Sequence, residues 1–100
     1  MATYKFSEPA RHDVENIILY TIETWGKSQA ENYFNGLEKQ AQLLAEMPSM
    51  GKRLYEPYGN LRAFAYEQHI LFFHEAPHGI TIIRILHKNM SRDIHLHLDE

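Results

Sequence analysis

Three runs typical of β-strands follow one another closely in the second half of the chain. They occupy residues 61–66, 69–75 and 79–86 and are rich in β-branched and aromatic side chains. The connections at 67–68 and 76–78 are too short for a crossover between parallel strands. This spacing predicts three consecutive antiparallel strands, and it constrains the fold more than any other feature of the sequence.

An amphipathic helix is predicted before these strands. Ser7 offers an N-cap oxygen, and Pro9 is tolerated in the first helical turn. Gly26 is well suited to end the helix. Apolar side chains recur on one helical face, at Val14, Ile18, Ile22 and Trp25.

A second helix follows almost immediately. Ser28 and Glu31 form the pattern of a capping box, and Pro48 marks the limit of the helix. With residues 26–27 alone between the two helices, we expect them to be antiparallel neighbours. Apolar positions recur along the second helix at Ala30, Phe34, Leu37, Ala41 and Leu44.

The predicted fold class is α+β, a helical hairpin packed on one face of an antiparallel β-sheet in the order β-α-α-β-β-β. A short strand at residues 3–6 is expected to join an edge of that sheet, and residues 48–60 are read as an irregular connection. One hundred residues predict one domain, spanning 1–100. The segment 91–100 fits either a further strand or a frayed end.

Composition narrows the classes of function. Ten Lys and Arg against thirteen Asp and Glu give a net charge of −3, which argues against a nucleic-acid-binding surface and favours a protein partner. Without cysteine, the chain has no disulfide, thiolate metal site or cysteine nucleophile. No apolar run approaches the roughly 20 residues that span a bilayer. We therefore expect a cytoplasmic protein, with no membrane contact and no cofactor.

Arg62, Arg84 and His87 are the sharpest candidates for chemistry. Two arginines can hold a phosphodiester, and a histidine can move protons near neutral pH, as in a ribonuclease. The structural alternative pairs each arginine with a carboxylate and lets His87 cap the end of a strand. Since no tyrosine follows His87, we favour the structural reading and predict no catalytic residues.

Two further groups have both a functional and a structural reading. His95 and His97, with Asp99 nearby, could bind a metal ion if the tail were a strand, but two imidazoles leave such a site incomplete, so no metal site is predicted. Trp25, beside Gly26, is expected to close the core. If exposed, it becomes the best single anchor for a protein partner.

The order and spacing of several short motifs resemble the ParE toxins of bacterial toxin–antitoxin modules, in the RelE/ParE superfamily that includes plasmid stabilisation proteins. The resemblance covers nearly the whole chain. It departs at Ser91, where the family usually has aspartate. The matching motifs are Ser7-Glu8-Pro9-Ala10, Tyr20-Thr21, Trp25-Gly26, Met47-Pro48, Gly51, Leu61-Arg62, Arg84-Ile85-Leu86-His87, Met90 and His95-Leu96.

The resemblance implies a toxin that inhibits DNA gyrase without being an enzyme. It also implies a ParD-like antitoxin whose C-terminal segment wraps the toxin in a hetero-oligomer. Two alternatives remain: a ribosome-dependent mRNA endonuclease of the RelE type, and a binding module with little toxicity. The residues expected to contact the target or the antitoxin are Trp25, Arg62, Arg84, His87, Lys88 and Met90.

Overall fold

A computed structural model describes residues 1–90. The order of helices and strands is the expected one, with two additions inside the predicted connection 48–60: a 3₁₀ turn and a two-residue strand. In chain order, the elements are β1 Thr3–Phe6, α1 Glu8–Trp25, α2 Lys27–Glu46, a 3₁₀ turn Pro48–Met50, β2 Lys52–Arg53, β3 Arg62–Tyr66, β4 His69–Ala76 and β5 Gly79–His87.

The five strands form one sheet in the order β1-β5-β4-β3-β2. Strands β3, β4 and β5 pair antiparallel, which confirms the prediction from their short connections. Strand β1 lies at an edge, as expected, but it pairs with β5 in parallel, with Thr3 opposite Gly79. The sheet is therefore mixed rather than purely antiparallel.

Strand β5 has a bulge that changes its edge. The register with β4 shifts between Phe72 and Phe73, so Ile83 is an extra residue on β5. Strand β1 ends opposite Ile82, and Ser7 then takes over the pairing. Its backbone N–H donates to the Ile82 carbonyl at 2.9 Å, and its hydroxyl donates to the Ile83 carbonyl at 2.7 Å. Where β1 ends, Ser7 at the start of α1 thus continues the hydrogen bonding to the edge of β5.

Two apolar clusters stabilise the sheet. The larger one joins both helices to one face of the sheet and includes the fully buried Leu37, Leu44 and Phe73. The smaller one contains Leu54, Leu61, Phe72 and Leu86. Leu54 lies within the connection that the sequence predicted to be irregular, and Leu61 directly follows it. That connection therefore contributes to the packing of the sheet.

The ends of the helices confirm one prediction and correct another. Ser7 caps α1, since its hydroxyl oxygen accepts the Ala10 N–H at 3.1 Å. The capping box at Ser28 is wrong, because α2 already begins at Lys27, where no side chain caps it. Gly26, at φ 99°, is the C-cap of α1 and the N-cap of α2 at once. A single residue with positive φ makes the turn between the helices.

The apolar stripe predicted on α1 is correct only in its first half. Val14 is buried, but Ile22 is 39% and Trp25 71% exposed, so Trp25 does not close the core. Buried positions end at Thr21 on α1 and resume at Ala30 on α2, which leaves the hairpin tip without a core beneath it. The hydroxyl of Thr21 donates to the Ile17 carbonyl at 2.6 Å, and this bond allows a polar side chain to be buried.

The first half of α2 is less buried than the pattern predicted. Phe34 is half-buried against the larger cluster, and Tyr33 is half-buried with its hydroxyl turned towards β4.

Between residues 1 and 90, no helix is long and apolar enough to cross a membrane.

Candidate functional site

Arg84 is held by a carboxylate of the same chain. Its Nε and one terminal nitrogen donate to the two carboxylate oxygens of Asp13 at 2.7 and 2.9 Å. The Ile85 N–H donates to the same carboxylate at 2.9 Å, so Asp13 also satisfies the strand edge. The side chains are 23% exposed for Arg84 and 13% for Asp13. The hydrogen bonds that Arg84 donates to Asp13 raise the pKa of Arg84, and the pair fastens α1 to β5.

His87 lies in an aromatic cluster at the C-terminal end of β5. Its ring is 5.5 Å from that of His69 in an edge-on contact, and His69 Nδ1 shares a 2.6 Å hydrogen bond with the Tyr33 hydroxyl. Burial, reinforced by the neighbouring His87, lowers the pKa of His69 to about 4. Burial likewise raises the pKa of Tyr33 to about 12. At neutral pH both groups are therefore uncharged.

The Nδ1 atom of His87 has a structural partner. It accepts the Asn89 N–H at 3.1 Å, while the His87 carbonyl accepts the Met90 N–H at 2.9 Å. This turn ends β5, as the structural reading of His87 predicted. Lys88 and Met90 project from it, and Met90 is 49% exposed.

Arg62 has a neutral partner and a weak acidic one. It donates to the Gly51 carbonyl at 2.8 Å, whereas its Nε lies 3.4 Å from a carboxylate oxygen of Glu75. A Cβ at Gly51 would strike the buried Phe73 ring and press on the Cβ of Arg62. Glycine at position 51 therefore lets this backbone segment lie against Phe73 and Arg62, where the Gly51 carbonyl accepts the hydrogen bond from Arg62.

Arg62, Arg84 and His87 do not converge on one point. Arg62 on β3 lies opposite Phe73 on β4, and Arg84 on β5 lies opposite Phe72 on β4. Strand β4 therefore separates the two arginines. At roughly 4.8 Å per strand, their backbones are about 10 Å apart. Each of the three has its own local partners, and the geometry does not assemble them around one substrate atom.

An open cleft of about 510 Å³ lies beside Arg62. It occupies the notch where β4 continues past the start of β3, since Arg62 is the first β3 residue and faces Phe73. Arg53 reaches it from β2, with a bond to Asn60 at 3.2 Å. The cleft is lined by Arg53, Tyr58, Asn60, Arg62, His74 and Glu75.

Trp25 is a highly exposed aromatic candidate for a protein contact. Its 71% exposure places it among the large apolar side chains on the surface of α1, together with Leu19 at 59% and Ile22 at 39%. Spacings of three residues bring these side chains to neighbouring positions along the helix. We call Leu19, Ile22 and Trp25 the tip patch.

Within residues 1–90, no group of three or more histidine, cysteine, aspartate or glutamate side chains is placed to hold a metal ion. The pair His95 and His97, with Asp99, lies outside the described residues. So do Ser91 and the predicted alternatives for segment 91–100.

A family model described as "ParE toxin of type II toxin-antitoxin system, parDE" matches residues 4–92. The chain belongs to this ParE toxin family. The resemblance that the sequence motifs indicated is therefore confirmed.

Known proteins support the assignment over nearly the full length. A Toxin ParE1 of Caulobacter vibrioides is 34% identical, covering 96% of this chain and 99% of the relative. A Toxin ParE1 of Mycobacterium tuberculosis is 31% identical over 93% of this chain and 96% of the relative. The solved structure "Chromosomal ParDE TA system from P. aeruginosa" superimposes with a TM-score of 0.72 at 22% identity, over 87% of this chain and 96% of that one. That likeness confirms the fold.

Sequence reasoning missed three important residues of this ParE-family chain: Asp13, His69 and Arg53. The sequence does contain a signal for Asp13. This acid lies beside the apolar Val14 on the predicted helix, and an arginine inside an apolar strand requires a partner. Arg53 falls within the connection predicted to be irregular, because a two-residue strand has no detectable period. Nothing in the sequence pattern marks His69 as a neighbour of Tyr33.

Proposed function

We propose that this chain is a toxin that inhibits DNA gyrase through protein contacts and is neutralised by a ParD-like antitoxin. The observation that carries the proposal is the family match over residues 4–92, supported by two relatives named Toxin ParE1. Inhibition through contacts rather than catalysis is supported by the separation of Arg62, Arg84 and His87.

The proposed contact surface has an apolar and a charged part. The apolar part is the tip patch, in which Trp25 is a large aromatic anchor of the kind that dominates protein interfaces. The charged part includes Arg62 in the cleft and Lys88 beside Met90 after β5. Arg84 and His87 remain proposed contacts, through the part of each side chain that is exposed.

Neutralisation by an antitoxin is expected to use the same exposed apolar side chains. An amphipathic helix binds an apolar groove or face through its own side chains spaced three and four residues apart, and the tip patch on α1 offers such an apolar face. Leu43 and Met47 offer a second exposed pair near the end of α2, at 51% and 57% exposure. Burial of these groups supplies affinity, and charges at the rim set rate and specificity.

Expression in a bacterial host distinguishes the proposed mechanism from its main alternative. The proposal predicts DNA damage with gyrase inhibition and intact mRNA, relieved by co-expression of the antitoxin. Cleavage of mRNA with codon periodicity, lost on His87→Ala, would instead identify a ribosome-dependent endonuclease.

A matched pair of variants on α1 tests the contact surface. Trp25→Ala is expected to reduce growth inhibition, while Tyr20→Ala, a similarly exposed aromatic at 64%, serves as the control. Circular dichroism confirms that both variants fold. Equal toxicity of the two variants would exclude Trp25 as an anchor.

A further inference from the structure

The cleft at the start of β3 concentrates positive charge in an acidic chain. Two arginines, Arg53 and Arg62, and one acid, Glu75, line it, so it has a net charge of +1 with His74 neutral. The whole chain has a net charge of −3. A surface of opposite sign to the rest of the molecule favours an anionic ligand.

The two guanidinium groups are positioned by neutral partners. Arg62 donates to the Gly51 carbonyl at 2.8 Å, and Arg53 donates to the Asn60 side-chain oxygen at 3.2 Å. The Arg53 guanidinium also lies 5.5 Å from the centre of the Tyr55 ring. Neutral partners fix the direction of a guanidinium without cancelling its charge, in contrast to Arg84, whose charge is balanced by Asp13.

Glu75 is a weak occupant of this site. Its carboxylate lies 3.4 Å from the Arg62 Nε and its side chain is 61% exposed. Charge-assisted bonds of good geometry measure roughly 2.7–2.9 Å, so the contact leaves most of the possible interaction unused. A second carboxylate can therefore replace Glu75, or bind beside it across Arg53 and Arg62.

We propose that the cleft is a binding site for the carboxylate side chains of an acidic peptide segment. A phosphodiester chain is disfavoured, because its affinity requires several cations, whereas the cleft has a net charge of +1 and retains its own acid. The source of the peptide is the antitoxin, and this assignment rests on the proposed function. The cleft then provides a charged contact with the antitoxin through Arg53 and Arg62.

Titration with short peptides tests the site without any antitoxin. The probes are an acetylated, amidated Ala-Glu-Glu-Ala peptide and its Ala-Gln-Gln-Ala counterpart, followed by ¹⁵N NMR of the arginine Nε–H groups. We expect saturable shifts at Arg53 and Arg62 with the glutamate peptide alone. Equal shifts with the glutamine peptide, or shifts scattered over the surface, would overturn the proposal. So would tighter binding of inorganic phosphate or oligouridylate, which would identify a phosphate site.

Variants on β2 give matched controls. Arg53→Gln is expected to weaken peptide binding roughly tenfold, the effect of one lost bond to a charged group. Lys52→Gln removes the same charge from the adjacent strand residue, which does not line the cleft, and is expected to change binding by less than about twofold. Arg62→Gln should also weaken peptide binding. The test rests on Arg53→Gln, because Arg53 and its partner Asn60 are both exposed and the substitution should leave the fold intact. Equal effects of the Arg53 and Lys52 variants would contradict a defined site.

The antitoxin provides the final comparison. Calorimetry with the antitoxin encoded beside the gene is expected to show the same order of loss for Arg53→Gln and little change for Lys52→Gln. If antitoxin affinity is equal for both variants while the peptide titration succeeds, the cleft binds carboxylates from another source and the assignment to the antitoxin is wrong. If the chain has no antitoxin, the proposed function fails, and the peptide titration still decides whether the site exists.

Discussion

Removing the carboxylate of Asp13 should cost a large part of the stability of the fold. Asp13→Ala takes away three hydrogen bonds at 2.7–2.9 Å and leaves both the Arg84 guanidinium and the Ile85 N–H without this partner. Breaking a buried ion pair by removing one partner costs about 3–5 kcal/mol. Because Arg84 is 23% and Asp13 13% exposed, water can replace part of the loss, and we expect a cost of about 3 kcal/mol.

Urea unfolding followed by circular dichroism measures this cost. For a domain with a total stability of roughly 5–15 kcal/mol, a loss of this size gives a clearly lower midpoint. Glu15→Ala is the matched control, because Glu15 is an acid on the same helix, 66% exposed and 3.8 Å from His12. It is expected to change the free energy of unfolding by less than about 0.5 kcal/mol.

A double-mutant cycle separates the ion pair from other effects. Asp13→Ala and Arg84→Ala in one chain should destabilise by clearly less than the sum of the two single variants, since each removes the same contact. A loss below about 1 kcal/mol for Asp13→Ala, or additive effects, would refute the view that this pair fastens α1 to β5.

Three further predictions concern stability. Burial lowers the pKa of His69 to about 4 from 6.5, so the unfolded chain takes up a proton first, and stability should decline as pH falls from about 6.5 towards 4. The urea midpoint should drop over that range, less so in His69→Gln. Gly51→Ala should lower stability by about 1–3 kcal/mol in thermal melts, because its Cβ strikes the Phe73 ring. Glu67→Gly, at φ 53°, should raise the melting temperature, because glycine removes a left-handed strain of about 1 kcal/mol.

The parts of the fold that the sequence predicted correctly are those determined by local patterns. Short connections determined the antiparallel order of β3 to β5, and Gly26 marked the turn between the helices. The capping box at Ser28 failed, because the tertiary turn needs only one residue and overrides a local preference. The parallel pairing of β1 could not be read, because it joins residues far apart in the chain.

The candidate site depends still more on distant contacts. Asp13 and Arg84 are separated by 71 positions, so no periodicity reveals that one neutralises the other. Trp25 occupies a core-like position in the helical pattern, yet it is exposed because the core ends before the hairpin tip. The cleft arises where β4 extends beyond β3, a feature of strand register that residue types alone do not specify.

A supercoiling assay with purified proteins measures directly whether this chain inhibits gyrase by protein contact. Relaxed plasmid, DNA gyrase and ATP are incubated with increasing amounts of this chain, then with an excess of the antitoxin. We expect supercoiling to fall as the molar amount of the chain approaches that of the enzyme. Trp25→Ala should inhibit less than Tyr20→Ala, and the antitoxin should restore gyrase activity. Full supercoiling at every concentration of a folded chain that still arrests growth in cells would contradict inhibition of gyrase by protein contact.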